Sequence, residues 1–359
     1  MNAGLLPRLA RLIRQDVQGM HAYAVQPSAG LVKLDAMENP HRLPAALQRE
    51  LGERLGAVAL NRYPGQRVET LRQALARHAQ VPEGFDLMLG NGSDELISML
   101  AMACDVPGAS ILAPVPGFVM YGMSAQLQGL KFVPVDLTPD FELDEAAMLA
   151  AIEQHQPSIV YLAYPNNPTA NLWDDAVIER IVQAAPGLVV MDEAYQPFAS
   201  RSYADRITRH PHVLLMRTLS KFGLAGVRIG YLIGPSGLVA QIDKVRPPYN
   251  VSVLNCEAAL FALEHADVFD EQAAQLRRER GLLLERLAAL PQVKAWRSDA
   301  NMVLVRVPDA DRAFQGMKAG GVLVKNVSRM HPLLANCLRL TVGTAEENAQ
   351  MLQALQASL

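Results

Sequence analysis

Cysteine is scarce in this chain: Cys104, Cys256 and Cys337 are the only three, far apart and with no C-x-x-C among them. An odd, scattered set excludes a disulfide framework and a structural zinc site, and it fits a reducing compartment, so a cytoplasmic location is expected. No run of 18 or more apolar residues occurs, which leaves nothing able to span a membrane as a helix. The N-terminus mixes Arg8, Arg11 and Arg14 with leucine and isoleucine and lacks an unbroken apolar stretch, so no signal peptide is expected. Net charge is only −3, which gives no electrostatic footprint for nucleic acid or an anionic membrane. The one dense basic run, R-R-E-R at 277–280, has helical spacing and reads as a solvated face. Internal repeats and low-complexity stretches are also missing, and no metal is expected.

What is present is globular: 359 residues, half of them hydrophobic and 19% charged. At about 150 residues per domain, that length fits one large and one small unit. Apolar spacing predicts helices at 5–14, 44–60 and 66–79, with a Pro-broken loop, M-E-N-P-H-R-L-P, over 37–44. An alternation then begins. Strands are expected at 85–89, 110–114 and 131–135, and helices at 93–103, 121–127 and 144–154, with Ser93 as N-cap of the first. The runs I-V-Y-L-A-Y (159–164), L-V-V-M-D (188–192), V-L-L-M-R (213–217) and V-R-I-G-Y-L-I-G (227–234) are continuously apolar, as strands buried on both faces should be. Strands alternating with helices predict an α/β fold with a mostly parallel sheet. After about 248 the texture changes to long helices over 255–289 and strands at 302–307, 322–325 and 337–342, which predicts a smaller α+β domain. The expected division is a large domain of 31–248 and a small one of 1–30 with 249–359.

Ligands of open α/β sheets bind beyond the carboxyl ends of the strands. The unusual polar residues fall there: G-N-G-S-D after 85–89, P-N-N-P-T after 159–164, Asp192 at the end of 188–192, Lys221 in T-L-S-K after 213–217, and Arg228 opening 227–234. G-N-G-S-D at a strand-to-helix junction offers free N–H groups to a phosphate, although a capped helix after a glycine turn would look the same. Asp192 ends a very apolar strand and needs a partner, which a protonated pyridine nitrogen would supply. Lys221 is an amine able to form a Schiff base.

Together these pieces resemble the pyridoxal-phosphate enzymes of fold type I. M-E-N-P, N-R-Y-P-G, G-N-G-S-D-E-L-I, Y-P-N-N-P-T, M-D-E-A-Y, R-T-L-S-K-F-G-L-A-G-V-R-I-G-Y and C-L-R-L-T-V-G place the chain beside the class I/II aminotransferases, and within them it is most similar to the histidinol-phosphate aminotransferase family. The resemblance implies pyridoxal 5′-phosphate as cofactor and a homodimer. It also implies a ping-pong exchange of an amino group between L-histidinol phosphate and 2-oxoglutarate, giving imidazole-acetol phosphate and glutamate, in histidine biosynthesis. Lys221 would carry the internal aldimine and move the proton. Asp192 would meet the ring nitrogen, Tyr195 and Asn167 the ring oxygen, and Phe118 the ring face. Gly92, Ser93, Asp94, Thr218, Ser220 and Arg228 would form the phosphate cup, joined by Tyr63 from the neighbouring subunit. Tyr23, Asn39, Asn167, Lys325 and Arg339 would bind substrate; a guanidinium at 339 suits carboxylate and phosphate alike.

Two departures stand out. The stretch from Lys221 to Arg228 is one residue shorter than in many relatives, and Ala170 stands where N-P-T is usually followed by glycine. If that position needs φ > 0, alanine costs on the order of 1 kcal/mol. Rival readings are an aromatic or other amino-acid aminotransferase and a lyase such as threonine-phosphate decarboxylase. A regulator built on the same fold would add a DNA-binding domain, and enzyme motifs already begin by residue 37.

Overall fold

The computed structural model describes residues 6–20 and 25–359. Tyr23 lies outside the described residues. Short helices α1 (Leu6–Leu12) and α2 (Gln15–Gln18) lead to a two-residue strand β1 (Val32–Lys33), then to α3 (Ala45–Gly56) and α4 (Gln66–His78).

The alternation expected from the sequence follows. It runs β2 (Phe85–Gly90), α5 (Ser93–Ala103), β3 (Ser110–Val115), α6 (Met120–Gln128), β4 (Lys131–Asp136), α7 (Glu145–His155), β5 (Ile159–Ala163), α8 (Asp175–Ala184), β6 (Leu188–Asp192), β7 (Val213–Thr218) and β8 (Gly230–Pro235). These strands form one seven-stranded sheet in the order β2-β8-β7-β6-β5-β3-β4. Only β8 runs antiparallel to its neighbours. Every residue of β5 and β7 is buried, which is why their sequences do not alternate. Helices cover both faces and seal them with two apolar clusters, one including Leu162, Met191 and Leu215 and the other Ile97, Val190 and Met216. Each such side chain, fully buried, contributes roughly 1.5–3 kcal/mol.

Beyond β8 come α9 (Ser236–Ile242), α10 (Val253–Glu264) and the long α11 (Ala266–Ala288). Next are β9 (Lys294–Ala295), β10 (Met302–Arg306), α12 (Ala310–Ala319), β11 (Val322–Leu323), β12 (Lys325–Asn326), β13 (Cys337–Thr341) and α13 (Ala345–Ser358). Strands β12, β13, β10 and β9 make an antiparallel sheet in that order, while β11 pairs in parallel with β1. A capping box at Thr344 and Glu347 starts α13.

The change of texture near 248 does not coincide with a change of core. Helix α10 packs into the large cluster through Cys256, Ala259 and Leu260, and its buried Glu257 pairs with Arg54 of α3 and Arg67 of α4. Helix α11 begins in that cluster with Phe269 and ends in the small-sheet cluster with Leu283 and Leu287. Leu34, just after β1, belongs to the small-sheet cluster as well. The basic run on α11 is more than a solvated face. Arg277 donates to the Pro197 carbonyl at 2.6 Å, and Arg280 donates to the carbonyls of Phe198 and Ala300, both at 3.0 Å.

Candidate active site

A solvent-open cleft of about 610 Å³ lies between the two sheets, at the carboxyl ends of the parallel strands. Ten of the residues singled out in the sequence line it: Ser93, Asp94, Phe118, Asn167, Asp192, Tyr195, Thr218, Ser220, Lys221 and Arg228.

Asp192 is the last residue of β6 and is 4% exposed. Its Oδ1 accepts from the Ala194 N–H at 3.0 Å and its Oδ2 from the Tyr121 hydroxyl at 2.7 Å. Burial outweighs these bonds and raises its carboxyl to about 6. Burial likewise pushes the Lys221 amine down to about 8, helped by the nearby Arg339 guanidinium. Lys221 Nζ donates to the Ala36 carbonyl at 3.0 Å and lies 5.8 Å from the centre of the Tyr195 ring. The backbone reaches Lys221 through an unusual route. Ser220–Leu224 forms a π-type turn with Gly223 at φ 135°, and Ala225–Val227 tightens into a 3₁₀ turn. Arg228 does not open β8 as expected: it sits before the strand in a left-handed conformation, φ 54°.

That conformation turns the Arg228 guanidinium back across the N-terminus of α5. Its Nη2 is 3.3 Å from Asp94 Oδ2, and its Nη1 donates to Ser220 Oγ at 3.3 Å. A Cβ at Gly92 would stand 2.5 Å from Arg228 Nη2, so only glycine, which also has φ 83° here, lets the arginine pass. Gly92, rather than Ser93, occupies the N-cap, which leaves the Ser93 side chain and the first N–H groups of α5 facing the cleft. The Ser220 N–H donates to Thr218 Oγ1 at 3.1 Å and fixes the other side of the cup. A helix N-terminus, two hydroxyls and a guanidinium are a donor set suited to a phosphate. A buried carboxylate and a partly buried amine complete the donor chemistry that pyridoxal phosphate requires, so the residues present fit that cofactor.

The opposite wall comes from the small sheet. Arg339, 8% exposed on β13, donates to Asn167 Oδ1 and to the Asp35 carbonyl, both at 2.7 Å. Lys325 on β12 is its direct cross-strand partner, so the two cations share one face of the sheet. Two expected residues lie elsewhere. The Asn39 amide donates to Gln272 of α11 at 2.9 Å, and Tyr63 is 75% exposed, stacked on Tyr249 with ring centres 4.2 Å apart. Ala170 does adopt the left-handed conformation, at φ 66°, and is fully buried.

Sequence reasoning missed Tyr121. It follows Phe118 by one helical turn in P-G-F-V-M-Y, and that spacing was the available signal. The Glu193–Arg217 pair was also missed: this buried bond, at 2.8 Å, ties the segment after β6 to the end of β7.

The sheet, the strand-end cleft and its lysine define a class of proteins, and the family model for class I and II aminotransferases matches residues 29–355. The chain belongs to that family. It is 74% identical over 356 residues to the histidinol-phosphate aminotransferase of Polaromonas naphthalenivorans, covering 98% of each chain. It is 74% identical over 358 residues to the enzyme of that name from Methylibium petroleiphilum, covering 99% of this chain and 96% of the other. Among solved structures, the Sinorhizobium meliloti histidinol-phosphate aminotransferase in complex with pyridoxal 5′-phosphate superposes with a TM-score of 0.83 at 25% identity, over 96% of each chain.

Proposed function

We infer that this chain uses pyridoxal 5′-phosphate to exchange an amino group between L-histidinol phosphate and 2-oxoglutarate in histidine biosynthesis, yielding imidazole-acetol phosphate and L-glutamate. The observation that carries the reading is one cleft lined by Lys221, Asp192 and the Arg228 cup, with the Arg339 guanidinium bonded to Asn167 of its lining and Lys325 beside Arg339 on the small sheet. Full-length identity with aminotransferases of this name favours it over the aromatic-aminotransferase and decarboxylase readings.

When bound, the cofactor supplies a carbonyl carbon that takes up the amine and a ring that stores the electron pair released from the substrate carbon. The side chains do the rest. Lys221 holds the cofactor covalently, then takes the proton from one substrate carbon and returns it elsewhere. An amine lowered to about 8 is partly neutral near pH 7.5, as a base must be. Asp192 meets the ring nitrogen and keeps it protonated. Tyr195 and Asn167 would hold the ring oxygen, and Phe118 would pack on the ring face. Gly92, Ser93, Asp94, Thr218, Ser220 and Arg228 hold the phosphate.

Arg339 binds the anionic end of either donor, and Lys325 adds a second cation for the phosphate-bearing one. Asn39, whose amide here holds Gln272, and Tyr23 would be further substrate contacts. Tyr63, exposed with Tyr249, serves the cup of a second copy in a cytoplasmic homodimer. The test is borohydride reduction of the yellow protein followed by peptide mapping. A reduced adduct on Lys221 is expected; an adduct on another lysine would overturn the reading.

A further inference from the structure

Asp192 has a problem that its strand does not solve. It is 4% exposed, and the carboxylates of Asp94 and Glu193 both disfavour its charge. Against this stand two hydrogen bonds, one from a backbone N–H and one from the Tyr121 hydroxyl. The second comes from a ring that is itself fixed. Tyr121 is 2% exposed, stacks on Tyr161 with centres 4.3 Å apart and planes 6° from parallel, and receives Phe118 edge-on at 5.6 Å. The stack therefore sets where the hydroxyl can point.

We propose that Tyr121 is a positioning residue, which through its hydroxyl holds the Asp192 carboxylate charged and oriented toward the ring nitrogen of the cofactor. The proposal rests on the reading of Asp192 given above. A hydrogen bond donated to a carboxylate favours the charged form, and a hydroxyl already in place needs no reorganisation when the nitrogen arrives. Tyr161 provides an internal control. It belongs to the same stack and is equally buried, yet its hydroxyl has no hydrogen-bond partner among the described residues. The two rings share a packing role, and only one of them reaches the carboxylate.

The experiment compares Tyr121→Phe with Tyr161→Phe, each as cofactor-loaded protein and after removal of the cofactor. Infrared spectroscopy of the cofactor-free chain follows the protonated-carboxyl band of Asp192 against pH, assigned by its loss in Asp192→Asn. Fluorescence titration gives the dissociation constant for pyridoxal 5′-phosphate. In Tyr121→Phe the Asp192 band should persist to a pH about one unit higher, and the dissociation constant measured near or below about pH 5.5 should rise by up to about tenfold, the equivalent of that unit. Tyr161→Phe should match the parent in both. In an Asp192→Asn background, Tyr121→Phe should add no further loss of affinity, a result that general disruption of packing would not give. An unmoved band in Tyr121→Phe, or equal changes in the two variants, would overturn the proposal. Failure of the cofactor reading would appear instead in the parent, as no binding at Lys221, while the infrared titration would still report the hydrogen bond.

Discussion

The two walls of the cleft are built differently. On the large-sheet wall, Asp192 and Thr218 end adjacent parallel strands and are fixed by bonds from their own unit or from α6, while Lys221, just beyond, reaches the Ala36 carbonyl. On the small-sheet wall, Arg339 sits in a short antiparallel sheet and donates both across the cleft, to Asn167 of the large sheet's loop, and to the Asp35 carbonyl beside β1. The first wall fixes its carboxylate and hydroxyls internally; the second fixes its guanidinium partly from across the cleft. Constellations that must be accurate before substrate arrives belong on the first kind of wall, and contacts that select between donors belong on the second.

Substitutions at four positions and one titration test that contrast. Lys221→Ala should lower turnover by at least about a thousandfold in both half-reactions, since it removes both the covalent anchor and the proton carrier. Single-turnover kinetics would show this, and retained turnover would mean that the large-sheet wall does not hold the chemistry. Arg339→Ala should reduce kcat/KM by on the order of a hundredfold with glutamate and with histidinol phosphate alike, and Arg339→Lys should restore only part of it, because the fork is lost while the charge remains. A loss confined to one donor would break the idea of a shared anion site.

The titration bears on Lys221 alone. Its amine is lowered to about 8 from the ordinary 10.5, so between those values the unfolded chain binds more protons than the folded one. In cofactor-free protein, stability from this group is therefore fully present above about 10.5 and is lost as pH falls through about 8. The span is worth on the order of 2 kcal/mol after allowance for relaxation. Urea midpoints at pH 7.5 and 10, compared with those of Lys221→Met, isolate it; equal pH slopes in the two proteins would count against a desolvated amine. Lys325→Ala should cost roughly tenfold more with histidinol phosphate than with glutamate, because only the phosphate has oxygens to spare for a second cation. Steady-state kinetics with both donors would show whether the wall selects in this way. The smallest effect belongs to Ala170→Gly. Relief of φ 66° gains about 1 kcal/mol, offset in part by the loss of a buried methyl, so a thermal midpoint within a few degrees above the parent is expected.

The same contrast explains what could be read from the sequence. The large-sheet wall was legible because runs such as 188–192 and 213–217 announce strands buried on both faces, and the polar residues that follow them must then share one edge. Lys221, Asp192, Arg228 and the G-N-G-S-D and P-N-N-P-T motifs were singled out in that way, and the family resemblance supplied the individual roles of Asn167 and the cup residues. The rest depended on contacts distant in sequence. Tyr121 meets Asp192 across 71 positions, and nothing in P-G-F-V-M-Y tells which of its two aromatics points at the carboxylate. Arg228 looked like a strand residue because V-R-I-G-Y-L-I-G is apolar throughout; its left-handed backbone is set by the turn from Ser220 to Val227. The boundary near 248 followed composition, whereas Glu257, buried against Arg54 and Arg67, keeps α10 with the large sheet.

Helix α11 carries a further consequence. It places Phe269 in one apolar core and Leu283 and Leu287 in the other, without a break between them. Melting either core frays the helix that the other is built on, so each loses part of its own support when its neighbour opens. The two sheets should therefore lose structure together, in one calorimetric transition, rather than stepwise as two bodies joined by a flexible linker would.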